Sequence, residues 1–411
     1  MLEKSRREGL PAVKFYLLGK FMHLMGMGHR WSAGNRLVPA AEDVKRIVAF
    51  HFGGIGDTVL TTPALVALAE HYKEARISFI GSNIRHCSFL GNFPFIDEVK
   101  VFNIYPLDAK GFVLPSFWKA VSAVVDDLKR QPVDLLVNFH SPYLIDWFFI
   151  EFLIVCLSRP RFSAGINPYF LKGVSVYDRW VSEDDLEGKH DKDFFADIVE
   201  QMDIPVRNRE TAFPVTDEDR RFADNFIRDL RLRGDGLVCL HPGGTSVCNH
   251  WPVERYRRLT ADLGCRGLKF IVIGAPDEAH LAKAICKDNP YAVNLAGRTT
   301  VSQAAALMEQ SALFIGSDSG PFHVAVAVRT PTVAIIGGGH PRFHLYCRED
   351  IRIIKKNVSC APCRNWNCKV MDCIYGIHVE EVAAAAWEII TRHGRSSPFR
   401  RSGWVAEKAC S

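Results

Sequence analysis

Two parallel α/β domains facing across a cleft are predicted by three observations. Short apolar runs alternate with helical patterns along most of the chain, as expected for parallel strands joined by crossover helices. The alternation lapses in a polar stretch at residues 167–215 and restarts at Leu237, so the two halves join near 205–235. In both halves, turns rich in Gly, Ser and Thr follow apolar runs, where a parallel sheet places its strand ends and its ligands. A length of 411 residues suits two or three domains.

Residues 1–44 precede the first strand-like run, Arg46–Phe52. The turn Gly53-Gly54-Ile55-Gly56-Asp57-Thr58 follows, then a helix predicted over Val59–Tyr72 with Pro63 in its first turn, where a missing N–H costs little. The glycine spacing does not match G-x-G-x-x-G, which argues against a dinucleotide site. Strands are expected at Ile77–Gly81, Val99–Ile104, Asp134–Phe139 and Phe162–Ile166, with helices at Phe117–Lys129 and 143–157. The polar stretch contains a helix at Asp193–Met202, and a charged helix at Asp217–Leu230 leads into the second half. There strands are expected at Leu237–Leu240, Phe270–Ile273, Ala292–Leu295, Leu313–Ile315, Thr332–Ile336 and Arg352–Lys355. Helices fit Val253–Leu263, Asp277–Lys287, Val301–Gln310, Phe322–Val328 and Val379–Thr391, the last expected to return to the first half.

Composition is that of a soluble globular protein, with 48% hydrophobic and 24% charged residues. A net charge of +5 is too mild to argue for nucleic acid. Basic residues nevertheless concentrate in residues 1–46, interleaved with Phe15, Tyr16, Leu17, Leu18, Phe21 and Met22. Solvated ends or an interfacial helix on an anionic membrane both fit that pattern. Met1–Gly9 is charged and the apolar stretch beyond is broken by Lys20 and His23, so no secretory signal is expected. Tyr143–Leu157 is the nearest approach to a membrane span, but it is short and carries Asp146 and Glu151; a buried or interfacial helix is expected. A cytoplasmic protein follows from this reading.

Three turns carry candidate chemistry. Asp57 follows three glycines at a strand end, either as a proton acceptor for a substrate hydroxyl or as a helix cap. Ser317-Asp318-Ser319-Gly320-Pro321-Phe322-His323 opens a helix, where unpaired N–H groups favour a phosphate. His323 there is either a donor to the ligand or a satisfied core residue. His241-Pro242-Gly243-Gly244-Thr245 can hold phosphate through backbone N–H groups and the Thr245 hydroxyl. Glu278, after the strand ending at Ile273, either accepts from ribose hydroxyls or complements a helix dipole. Among the 12 cysteines, Cys360, Cys363, Cys368 and Cys373 cluster; zinc, an iron–sulfur cluster, a disulfide-stapled loop and reduced thiols remain alternatives.

GGIGDTVLTTPAL (53–65), HPGG with HWP (241–252), the long stretch 294–337 and the cysteine cluster before IYGIHVEEV resemble glycosyltransferase family 9, the ADP-heptose:lipopolysaccharide heptosyltransferase family. The resemblance covers about residues 46–392. It implies a GT-B fold of two Rossmann-like domains, an acceptor domain (45–215) and a nucleotide-sugar domain with the cysteine cluster (216–378), followed by a C-terminal helix (379–392); the basic amphipathic extension (1–44) and the tail (393–411) lie outside the family core. It further implies an inverting, metal-independent transfer needing no cofactor, from a nucleotide-diphosphate sugar to a lipid-linked or oligosaccharide acceptor of the lipopolysaccharide core. Asp57 would be the general base. Gly54, Gly56, Gly244, Thr245, Asn249, Glu278, Asp318, Ser319, Gly320 and His323 would contact the donor.

The sequence departs from the family in two places. Where heptosyltransferases commonly have Lys two residues before the Trp of the WP step, this chain has Asn249. The usual Gly-Pro-Thr after the last strand reads Gly337-Gly338-Gly339-His340-Pro341, with His340, Arg342 and His344 as replacement cations. These departures leave the donor open, and two alternatives stand beside heptose transfer: a GT-B epimerase acting on a UDP-sugar, and a non-catalytic nucleotide-sugar binding or scaffold protein.

Overall fold

The computed structural model describes residues 36–103, 115–140, 145–167, 175–182, 189–229, 236–244, 249–338, 346, 348–361, 363 and 368–393. The amphipathic stretch at Phe15–Met22, Thr245, His340, Arg342, His344 and the tail beyond His393 lie outside the described residues. The chain divides into two units between Glu210 and Thr211.

The first unit holds strands β1 (Arg46–Phe50), β2 (Arg76–Gly81), β3 (Glu98–Val101), β4 (Leu135–Asn138), β5 (Phe162–Asn167) and β6 (Arg179–Ser182). The second holds β7 (Leu237–His241), β8 (Lys269–Val272), β9 (Ala292–Asn294), β10 (Leu313–Ser317), β11 (Thr332–Ile336) and β12 (Ile351–Lys355). Their orders are β3-β2-β1-β4-β5-β6 and β12-β11-β10-β7-β8-β9, and all pairings are parallel. Counted from its own first strand, each sheet therefore has the same doubly wound order. Strands such as Leu135–Asn138 and Leu237–His241 are buried at every position, which is why they read as continuous apolar runs rather than alternating ones. Each chain direction reverses once, between β1 and β4 and between β7 and β10.

Helices of the first unit are α1 (Ile55–Leu60), α2 (Thr62–His71), α3 (Ile84–Cys87), α4 (Pro115–Arg130), α5 (Ile145–Ser158) and α6 (Asp191–Glu200). Those of the second are α7 (Asp217–Asp229), α8 (Val253–Gly264), α9 (Ala279–Cys286), α10 (Val301–Gln310), α11 (Gly320–Ala327), α12 (Asp372–Tyr375) and α13 (Val379–His393). The single helix expected over Val59–Tyr72 is two helices. The first starts in the glycine turn itself, with Gly54 as N-cap, so Asp57 sits in its first turn rather than before it. The break at Thr61 follows from Pro63, which cannot donate to the carbonyl of Val59. The Thr62 hydroxyl donates to that carbonyl instead, at 2.7 Å, and the Thr61 hydroxyl donates to the Thr58 carbonyl at 2.8 Å.

The stretch expected to be irregular contains an edge strand, β6, which pairs with β5. Its sequence, RWVS, is short and mostly half-buried, so no apolar run marks it. Helix α5 is a buried core helix: Ile150, Phe152, Ile154 and Val155 pack in the first unit's core. Among the described residues no helix is long and apolar enough to cross a membrane.

Helix α13 packs into the second unit's core. Val382, Ala386, Ile389 and Ile390 of α13 lie in the core cluster formed by β7, β8, β10, β11 and α8. Trp251, 1% exposed, donates its Nε1–H to the Ile377 carbonyl at 3.0 Å, and Arg255 donates to the Tyr375 carbonyl at 2.7 Å. The segment before α13 is thereby pinned to the start of α8. Trp251→Ala is expected to cost about 3–5 kcal/mol and to raise amide exchange across Val379–His393. Urea denaturation and hydrogen exchange check the two effects.

Candidate active site

In the second unit the strand order reverses between β7 and β10, and the register pairs Gly316 with His241 at their carboxyl ends. Turns after β7, β8 and β10 therefore open beside one another. Glu278 gathers them. Its Oε1 accepts from the Gly244 N–H at 2.8 Å, and its Oε2 accepts from the Ala275 N–H at 2.7 Å and contacts His241 Nε2 at 3.1 Å. The other ring nitrogen of His241, Nδ1, lies 3.1 Å from Ser319 Oγ. A Cβ at Gly243 would run into the Glu278 carboxylate, and Gly244 has φ +151°, a conformation that favours glycine. Both positions are thus fixed as glycine by this carboxylate and this turn.

Burial alone would raise the Glu278 pKa. The His241 hydrogen bond and charge and the two backbone N–H groups outweigh it, and the carboxyl falls to about 2. Asp318 behaves in the opposite way: burial pushes it up to about 6. Asn249 Nδ2 stands 3.5 Å from Asp318 Oδ2, and His250 Nε2 stands 2.9 Å from the Gly244 carbonyl. Ser319 is the N-cap of α11, and Gly320 is its first residue. The structure thus brings Gly244, Asn249, Glu278, Asp318, Ser319 and Gly320 to one strand-end cluster, with anion-favouring helix and turn N–H groups among them. His323 lies inside α11, buried, with Nδ1 2.8 Å from the Tyr346 hydroxyl. His241, the residue linking Glu278 to Ser319, carries no signal in the sequence beyond its place at the end of a strand.

In the first unit the reversal lies between β1 and β4, with Phe50 paired to Asn138. Gly54 and Gly56 belong here, in the Asp57 turn, and not to the second unit's cluster. Asp57 Oδ2 accepts from the Gly54 N–H at 2.9 Å, so the capping role is real. A Cβ at Gly53 would collide with both the His51 ring and the Asp57 carboxylate, which places these two groups around one methyl-sized space. The Gly53 N–H donates to His51 Nδ1 at 2.9 Å, and the Gly53 carbonyl is 3.2 Å from His86 Nδ1. His51, His86 and, at the end of β4, His140 were not singled out by the sequence. Isolated histidines at strand ends are indistinguishable there from core residues.

Cys360 is exposed, and Cys363, Cys368 and Cys373 are partly buried. Among the described residues no group of three or more His, Cys, Asp or Glu side chains is assembled to hold a metal ion.

A sequence model of "Glycosyltransferase family 9 (heptosyltransferase)" matches residues 170–374. Lipopolysaccharide heptosyltransferase 3 of Escherichia coli strain K12 is 24% identical over 360 residues, spanning 83% of this chain and 97% of that protein. A glycosyl transferase of family 9 from Veillonella parvula superposes with a TM-score of 0.68 at 20% identity, over 84% of this chain and 97% of that one. E. coli ADP-heptose lps heptosyltransferase II gives a TM-score of 0.66 at 15% identity, over 84% and 99%. The fold is GT-B.

The depressed Glu278 pKa makes a stability claim with a definite sign. The ionised carboxylate stabilises the fold above about pH 4.5, and that contribution fades as pH falls toward about 2. Glu278→Gln is expected to cost about 1–2 kcal/mol at pH 7, the gap from wild type closing below pH 4. Paired urea titrations from pH 2 to pH 8 read this directly. Asp318→Asn should do the reverse: it raises the melting temperature at pH 7.5, where wild type bears a buried charge, and changes little at pH 4.

Proposed function

Because the chain belongs to glycosyltransferase family 9 and is a glycosyltransferase, we propose that it transfers a heptose from ADP-heptose to a hydroxyl of a lipopolysaccharide core acceptor, with inversion. The observation that carries this reading is the Glu278-centred cluster. Backbone N–H groups at the start of α11 suit a diphosphate, and the half-buried Glu278 suits ribose hydroxyls, its carboxylate being held ionised. The relatives add the donor and acceptor class: one is a lipopolysaccharide heptosyltransferase and another an ADP-heptose heptosyltransferase. Asn249 brings no charge, so the diphosphate is met by N–H dipoles, the Thr245 hydroxyl and the Ser319 hydroxyl.

Asp57 is the general base of this reading. Its carboxylate takes the acceptor proton while the incoming oxygen attacks the anomeric carbon opposite the diphosphate, and the helix that it caps holds it in place. The reaction as proposed needs no metal, and EDTA should leave its rate unchanged. The basic, aromatic-rich residues 1–44 support peripheral contact with the anionic inner face of the cytoplasmic membrane, where a lipid-linked acceptor is available.

Two measurements test the reading. In a thermal-shift screen, ADP-heptose should raise the melting temperature more than UDP-, GDP- or CDP-sugars. A UDP- or GDP-sugar acting instead would replace the donor, and no shift with any of them would favour a scaffold role. Asp57→Asn retains an oxygen that can accept from Gly54, so it keeps the cap. It should lower kcat about 100-fold or more with the ADP-heptose thermal shift intact; unchanged kcat would remove Asp57 from the chemistry.

A further inference from the structure

The core of the first unit contains a carboxylate that the proposed mechanism does not use. Glu151 is fully buried on α5, a helix apolar but for it, Asp146 and Ser158. Its Oε1 lies 2.5 Å from His140 Nδ1, and its Oε2 accepts from Asn138 Nδ2 at 2.6 Å. Asn138 also donates to the Tyr177 hydroxyl at 2.7 Å and accepts from the His140 backbone N–H, also at 2.7 Å. Asn138 and Tyr177 are as buried as Glu151, whereas His140 keeps 6% of its surface exposed. A buried carboxylate is costly unless its partners satisfy it. Burial raises the Glu151 carboxyl above its ordinary range, and the His140 and Asn138 hydrogen bonds oppose that shift; the least buried member of the network is the His140 imidazole. With Nδ1 engaged by Glu151, Nε2 has no hydrogen-bond partner among the described residues.

The His140 imidazole adjoins the Asp57 turn. Phe50 of β1 pairs with Asn138 of β4, so His51 and His140 follow on neighbouring strand ends, their ring centroids 5.2 Å apart. The His51 ring and the Asp57 carboxylate in turn border the same space at Gly53. Five titratable groups meet here: Asp57 of α1, His51 after β1, His86 of α3, His140 after β4 and Glu151 of α5, with Tyr177 behind Glu151. His140 carries the Glu151 carboxylate on its ring, and the Asp57 charge acts on His86. Burial, then His140 and His86, hold His51 well below the ordinary histidine range, so it stays neutral with Nδ1 accepting from Gly53. Burial also lowers His86, whose Nδ1 is engaged by the Gly53 carbonyl.

We propose that His140, aimed by Glu151, is the positioning residue that clears the transferred proton from Asp57. The inference rests on the glycosyl-transfer reading above. In that reaction the acceptor O–H and the bond from the anomeric carbon to the diphosphate oxygen break, and a new carbon–oxygen glycosidic bond forms. The electron pair of the broken bond leaves with the nucleoside diphosphate, and the proton goes to Asp57. Each turnover therefore releases one proton, which Asp57 must lose before it can act again. His140 Nε2 accepts it through solvent, the imidazolium is held by its Nδ1–H bond to the Glu151 carboxylate, and Nε2 then returns the proton to bulk water. A histidine oriented by a carboxylate is a recurrent arrangement for such transfers.

The test compares wild type, His140→Gln and Glu151→Gln for heptose transfer from pH 5 to pH 9. His140→Gln should lower kcat about 10- to 100-fold with the donor KM within about twofold, and added imidazole should restore part of the rate. Glu151→Gln withdraws the carboxylate that aims the ring, so kcat should fall in the same direction with the donor KM unchanged. A folded His140→Gln protein with the kcat and pH profile of wild type overturns the proposal. Should that variant fail to fold, imidazole nitrogen NMR of the wild type decides: His140 protonated on Nδ1 at high pH supports the relay, and the Nε2–H tautomer overturns it. Absence of transfer by wild type sinks the parent reading and the relay together, whereas normal transfer by His140→Gln sinks the relay alone.

Discussion

One carboxylate organises the second unit's strand ends. Glu278 comes from the turn after β8, yet its bonds reach Gly244 after β7 and, through His241, Ser319 after β10. Three loops that share no sequence are held in one arrangement by a side chain whose charge is sustained by donors alone. The glycines at 243 and 244 follow from it, the first because a Cβ would strike the carboxylate. A preorganised donor set of this kind costs no rearrangement when a diphosphate arrives.

The two sheets share a strand order but use their reversal points differently. In the second unit the crevice is lined by backbone N–H groups, hydroxyls and one ionised acid, which suits an anion. In the first it is lined by imidazoles around Asp57, with a second acid sealed beneath them. In the proposed reaction one topology supplies an anion-binding end and a proton-handling end, and the difference resides in the few residues that follow each strand.

The two-sheet architecture was legible because fully buried parallel strands leave long apolar runs, and the glycine and serine turns between them survive as patterns. β6 was not legible: an edge strand needs no apolar run, and RWVS has none. The split of the helix after the glycine turn was readable only through Pro63, whose effect depends on which helix position it occupies. Glu278 and Ser319 announced themselves by lying just past strand ends. Their link through His241 did not, since a contact between residues 241 and 278 is set by the sheet and not by local spacing. Glu151 was read only as a charge interrupting an apolar helix. Its partner Asn138 lies 13 residues before it, and Tyr177, which Asn138 also binds, lies 39 residues beyond Asn138; nothing in the intervening sequence predicts that they meet.

The packing of α13 also orders events during synthesis. The second unit's core is completed by Ile374, Ile377, Val382, Ala386, Ile389 and Ile390. Until these have emerged from the ribosome, the faces of β10, β11 and α8 that they cover remain open to water. The first unit has no such debt to distant sequence: its sheet is complete once β6 has been made. The nascent chain therefore carries a finished first unit beside a half-covered second one for most of the time needed to translate residues 211–393, and in that interval the exposed apolar sheet is the segment that a chaperone would hold.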